Sequence, residues 1–206
     1  MTATAPKFVG TTSVTGTGIN GTSWSFKDNA IGAADGSPTT CPLLGASDTS
    51  QGLYVSNFGF DGVSGVPTGA TINGIVATVT RMSVPQSVRY AYDLTLKLAT
   101  AANTFVSEEK AYSGVWPENS YATRSYGGVS DTWAWGAISA ASIRASSFGL
   151  IFGAKCDDDF TLQIGSVDAN VDSFSMTVHY TDGGGVASVV TKRPAMSGLS
   201  GLSAIN

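Results

Sequence analysis

Residues 174–181, FSMTVHYT, place Phe174, Met176, Val178 and Tyr180 at every second position, with Ser175, Thr177, His179 and Thr181 between them. A helix repeats every 3.6 residues and a strand every two, so this stretch reads as a β-strand with one face in a core and the other in water. The same period recurs upstream. In Asp93-Leu94-Thr95-Leu96-Lys97-Leu98 three leucines share one face and the polar residues the other, and Phe160, Leu162 and Ile164 alternate with Thr161, Gln163 and Gly165. Ile75-Val76-Ala77-Thr78-Val79-Thr80 is rich in β-branched residues and follows the turn-forming Val66-Pro67-Thr68-Gly69, which predicts a strand entered from a turn. Phe148 to Ala154 is almost continuously apolar, as suits a strand buried on both faces. The helical signal is short: Ser139 is placed to cap a single turn running from Ile138 to Arg144. Strands at short intervals, separated by Gly, Asn, Asp and Pro, predict an all-β fold, an antiparallel β-sandwich of jelly-roll type.

A chain of 206 residues can bury a sizeable core in one such sandwich. We place it over residues 20–181, after an N-terminal segment at 1–19. The texture changes at Thr181-Asp182-Gly183-Gly184-Gly185, a linker by composition, so 182–206 reads as a Gly-rich linker and a short extended C-terminal arm. Composition alone would make the arm a disordered end, but Val186, Val189 and Val190 can form a small strand. Leu199, Leu202 and Ile205 recur every three residues among small neighbours. These six are the candidates for docking on a neighbouring subunit.

Only 13% of residues are charged and the net charge is -4. Phosphate binding draws on a concentrated basic surface, whereas Arg81, Arg89, Lys97, Lys110, Arg124, Arg144 and Lys155 are scattered singly, so nucleic acid is not an expected partner. No run of eighteen apolar residues exists to span a membrane, and Met1–Pro6 lacks the basic start and apolar run of a secretory signal. The expectation is synthesis in a cytoplasm.

No catalytic set stands out, and neither a catalytic residue, a cofactor nor a metal site is assigned. His179 is the sole histidine, on the polar face of its strand, which excludes a multi-histidine metal site. Asp157-Asp158-Asp159 could reach a cation but lacks the spacing of a calcium loop and reads better as a solvated hairpin. Glu108, Glu109, Glu118, Asp131 and Asp168 show no spacing that would pick out a hydrolytic pair. Gly127-Gly128 and Gly183-Gly184-Gly185 match neither phosphate-loop pattern. Cys41 and Cys156 could close a disulfide worth roughly 4–5 kcal/mol, or stand as two buried thiols. The aromatic group Trp116, Tyr121, Tyr126, Trp133 and Trp135 has binding potential, since sugars stack on flat rings. Rings on a long connection also anchor it to a sandwich edge through the area they bury.

Four stretches in order resemble a family of β-sandwich, jelly-roll-like domains of tailed-bacteriophage virion structural proteins. SWSFKDNAIGAADGS contains Trp24, Asn29, Ala30, Asp35 and Gly36 of the first motif. LYVSNFGFDGVSGVPTGATINGIVATVTR, residues 53–81, is similar to the family's central hairpin and ends on Arg81. Residues 115–155, from Val115-Trp116-Pro117 through Tyr126-Gly127-Gly128 and Asp131-Thr132-Trp133 to Lys155, resemble the third, and VDSFSMTVHYT the last strand. One departure lies at Ala134-Trp135, where the family pattern has Gly directly after the first Trp.

The resemblance implies a non-enzymatic part of a virus particle. The first expectation is a capsid decoration or cement subunit, a homo-oligomer contacting the major capsid protein. One alternative is a tail, baseplate or fibre component among tail subunits. Another is a host-attachment module binding a glycan through Trp116, Trp133 and Trp135, with Trp135 the ring chosen to face a partner.

Overall fold

The alternating stretches pair into two antiparallel sheets packed face to face, one of them strongly curled, in a computed structural model. It describes residues 1–15, 21–45, 47–86, 89–102, 104–156 and 165–183. The expected strand at Phe160, Leu162 and Ile164 lies outside the described residues. So do Asp157–Asp159 and all six arm candidates, Val186, Val189, Val190, Leu199, Leu202 and Ile205.

In chain order the strands are β1 (Thr2–Ala3), β2 (Lys7–Phe8), β3 (Thr11–Thr15), β4 (Thr39–Leu43), β5 (Gly52–Ser56), β6 (Thr71–Pro85), β7 (Ala91–Ala101), β8 (Thr104–Phe105), β9 (Ala122–Gly127), β10 (Gly149–Cys156) and β11 (Val167–Thr181). A 3-10 turn covers Lys27–Ala30, and the single described helix is α1 (Ala140–Arg144). The first sheet is built on β11, which pairs with β6 along one side and with β4, β2 and β1 in succession along the other, while β9 pairs with the far side of β6. The second runs β3-β5-β10-β7-β8. Residues 2–15, set apart in the sequence reading, therefore belong to the sandwich: they contribute to both sheets, and Val9 lies in the core.

The core forms where the inward faces meet. Phe174, Met176 and Val178 of β11 and Ile75, Ala77 and Val79 of β6 face Leu53, Val55, Leu96, Leu98, Leu150 and Phe152 of the opposite sheet, all fully or almost fully buried. Phe152 sits at the centre, edge-on to Phe174 (5.6 Å between centroids) and stacked on Trp116 (5.7 Å). The long apolar run of β10 is buried on both faces: beyond Leu150 and Phe152, Ile151 joins Tyr54 and Ala99 in a second cluster. Ser139 caps α1, its hydroxyl accepting from the Ser142 amide.

Four register shifts interrupt the described ladders, and two of them, both bulges, bear on buried charge. On β7, Thr95 pairs with Gly153 and Asp93 with Ala154, leaving Leu94 as an extra residue. The three-leucine face expected there is thus corrected: Leu96 and Leu98 are buried, Leu94 leaves their face, and Asp93 turns inward at 3% exposure. On β11, Asp172 is extra between Val171 and Ser173, and its buried carboxylate accepts from the Asp35 and Gly36 amides, tying down that connection. Each of these two thus places a carboxylate where period-two counting does not.

Candidate functional site

The inward face of β6 runs Ile75, Ala77, Val79, Arg81, so strand geometry alone carries a guanidinium into the core opposite the bulged Asp93. The pair is deeply buried, with side-chain exposures of 2% and 0%. Arg81 Nη1 donates to Asp93 Oδ1 at 2.6 Å and also to the Tyr126 hydroxyl. Asp93 accepts three further bonds, from Trp116 Nε1 (2.8 Å), the Tyr126 hydroxyl (2.7 Å) and the Tyr112 amide (2.9 Å). A buried carboxylate is tolerated when its lone pairs are filled in this way. The Arg81 guanidinium carbon lies 5.1 Å from the Trp116 ring centroid and 5.8 Å from that of Tyr126. Burial, and after it the Asp93 charge, push the Tyr126 phenol far above its ordinary pKa, so it stays a neutral donor. Arg81 Nε is buried without a hydrogen-bond partner.

Beside this centre the connection after β9 folds back on the edge of β6. Gly127 has φ +76, and a Cβ there would lie 2.3 Å from the Ile75 carbonyl oxygen and 2.4 Å from Trp133 Nε1. The indole fills that space and donates from Nε1 to the Ile75 carbonyl at 2.9 Å. Asp131 Oδ1 accepts from the Trp133 amide at 2.7 Å, closing a local turn in which Trp133 and Ala134 both take left-handed φ, 57 and 50. The departure from the family-like pattern at Ala134 is therefore housed in this turn. Lys110 bridges Asp131 (2.8 Å) and Glu108 (2.5 Å). Burial works against the Asp131 charge, but Lys110 and the Trp133 amide outweigh it and hold the carboxyl below its ordinary range.

The three tryptophans proposed as contact residues thus take different places. Trp116 and Trp133 are 1% and 0% exposed, so their rings form part of the core and present no face to a ligand. Trp135 is half-buried and stacks on Phe148 at 5.9 Å with 13° between planes. Tyr126 belongs to the ionic centre, and Tyr121 lies at the surface half-buried.

The other reactive groups are placed separately. Glu109 accepts from the Leu96, Lys110 and Ala111 amides and the Thr95 hydroxyl, pinning the chain after β8 to β7. His179 is half-buried on β11 opposite Ala3. Cys41 and Cys156 are buried thiols not joined in a disulfide, which decides between the two readings of the cysteines. Burial and the nearby Asp168 and Asp48 charges push Cys41 up to about 12. Among the described residues no group of three or more His, Cys, Asp and Glu could hold a metal ion.

Next to the ionic centre a cavity of about 230 Å³ opens between β9 and the chain preceding it, lined by Arg81, Tyr112, Val115, Pro117, Thr123 and Arg124. The Arg124 guanidinium lies over the Tyr112 ring, 3.4 Å from its centroid. Neither this cavity nor the ionic centre was assigned from the sequence, where Arg81 stood as an isolated cation. A signal was present: Arg81 continues the apolar phase 75, 77, 79. No family model, curated protein or solved structure matches the chain.

Proposed function

We propose that this chain is a non-enzymatic structural subunit of a tailed-bacteriophage particle, a capsid decoration or cement protein that stabilises the shell through contacts with neighbouring copies and the major capsid protein. The ordered series of motifs suggests the family. The observation that carries the reading further is that the adhesive and reactive side chains serve internal ties. Arg81, Asp93, Trp116, Tyr126 and Trp133 lie within the sandwich, and Asp131, Lys110 and Glu109 fasten its connections.

The outer side of β6 and β9 instead carries short hydroxyls, Thr78 facing Ser125 and Thr80 facing Thr123. Such side chains lose little rotamer freedom in a contact. Among the described residues β9 has no ladder partner beyond β6, so its edge offers main-chain hydrogen bonds to a neighbour. A subunit whose function is to be packed against others gains from both features, and closed symmetry would follow from self-complementary edges.

The test is the location and copy number of the chain in purified particles. Copies spread over the shell support decoration; a few copies at one vertex would move the protein to the tail or baseplate, and absence from particles would refute the reading. Deleting residues 183–206 should leave the strand circular dichroism unchanged and abolish incorporation. Full occupancy after deletion would remove the arm from the mechanism. A glycan array with Trp135→Ala addresses the attachment reading, which would be favoured by sugar binding that disappears without a change in melting temperature.

A further inference from the structure

The buried arginine is satisfied at one end only. Nη1 holds Asp93 and Tyr126, whereas Nε is buried with no partner, and Nη2 has none among the described residues. Nε and Nη2 form one edge of the guanidinium, where two parallel N–H groups match the spacing of two carboxylate oxygens. An arginine clamped by Asp93 at its other end, with its flat face toward Trp116, offers that edge in a fixed orientation, so little freedom remains to be lost on binding.

Arg81 lines the 230 Å³ cavity, and so does Arg124, which rests on Tyr112 and takes part in no ion pair among the described residues. Two arginines therefore meet at one small cavity on a chain whose net charge is -4. We propose that this cavity is a carboxylate-binding site, with Arg81 supplying the two-pronged contact through Nε and Nη2 and Arg124 the neutralising charge. The charge balance selects the ligand class. Asp93 already compensates Arg81, which leaves one positive charge, that of Arg124, to match a monoanion. A phosphate dianion would add an uncompensated negative charge near a buried carboxylate. The volume lies below the ~300 Å³ at which drug-sized pockets begin, so the site fits a small organic acid or the carboxylate end of a longer molecule. Val115 and Pro117 supply an apolar wall for the carbon attached to that group. This inference is independent of the virion assignment, because it rests on the cavity alone.

The test follows the arginine Nε–H resonances of ¹⁵N-labelled protein during titration with acetate, with glucuronate against glucose, and with a peptide of residues 191–206 carrying either a free or an amidated C-terminus. The Arg81 signal is assigned by its contacts to the Trp116 indole, and by its disappearance in Arg81→Lys if that variant folds. It should shift saturably with carboxylates in the millimolar range and not with glucose. The exposed Arg124→Ala should weaken binding by at least about tenfold while leaving the fold intact, because it removes a charged partner. Glucuronate binding with a peptide indifferent to amidation identifies a free acid as the ligand; peptide binding lost on amidation identifies a chain terminus. No saturable shift, an equal shift with chloride at matched ionic strength, or an unchanged affinity in Arg124→Ala would each overturn the proposal.

Discussion

Replacing Asp93 by Ala tests the ionic centre most directly. The carboxylate accepts from Arg81, Trp116 and Tyr126 side chains and from the Tyr112 amide, in a setting where both charged partners are almost fully excluded from water. Removing it leaves the Arg81 charge buried and unpaired, the situation in which breaking an ion pair costs about 3–5 kcal/mol. A folded domain is stable by only ~5–15 kcal/mol, so this is a large share of the total. For a chain of this size each kcal/mol moves the melting temperature by about 2–4 °C, giving an expected loss of roughly 6–20 °C. Urea titration followed by circular dichroism and tryptophan fluorescence, with calorimetry alongside, measures it. The control is a cycle with Arg81→Met. If the penalty is the stranded charge, Asp93→Leu combined with Arg81→Met should be more stable than Asp93→Ala alone, because an apolar pair of similar volume has no charge to desolvate. A single-variant loss below about 1 kcal/mol, or a double variant no better than the single, would refute the reasoning, since either result means that the guanidinium reaches water or another partner.

Gly127→Ala should cost more than about 1 kcal/mol, because φ is +76 and the new methyl meets the Ile75 carbonyl and the Trp133 indole, whereas Gly136→Ala, with open space around it, should show backbone strain alone; paired urea titrations compare them. The Asp131 carboxyl is held below its ordinary range, so its contribution is present above the unfolded value near 4 and is lost as pH falls through the lower folded value. Asp131→Asn should flatten that acid limb by under about 1 kcal/mol, since the Lys110 bridge is partly exposed; a limb of unchanged slope counts against this account. Cys41 and Cys156, buried and not joined in a disulfide, should resist a thiol reagent at pH 8 in the folded protein and both react in denaturant, with Cys41 further protected by a pKa near 12. Rapid labelling of either thiol under native conditions would contradict their placement.

Much of the sandwich is legible in the sequence because strand period and burial are local properties. The alternation at 174–181, the two-faced apolar run at 148–154 and the cap at Ser139 each appear in the structure as read, since each is set by which side chains can face a core and which backbone groups need a partner. Phase is a different matter. Leu94 and Asp172 are one-residue insertions in their ladders, and nothing in their own side chains announces them. They exist because a carboxylate on each bulge finds donors on distant segments: Asp93 finds Arg81, Trp116, Tyr126 and Tyr112, and Asp172 finds Asp35 and Gly36. Those donors become neighbours once the sheets have closed.

The same holds for the aromatic connection. Its composition shows rings able to bind or to anchor, and the sequence leaves that choice open; the tertiary structure decides it by giving Trp116 a stacking partner in Phe152 and Trp133 a cleared space over Gly127. Period-two chemistry thus marked the long central strands, while their local phase and the position of buried charge, and with it the cavity beside Arg81, depended on long-range hydrogen bonds that only the packed sandwich brings within reach.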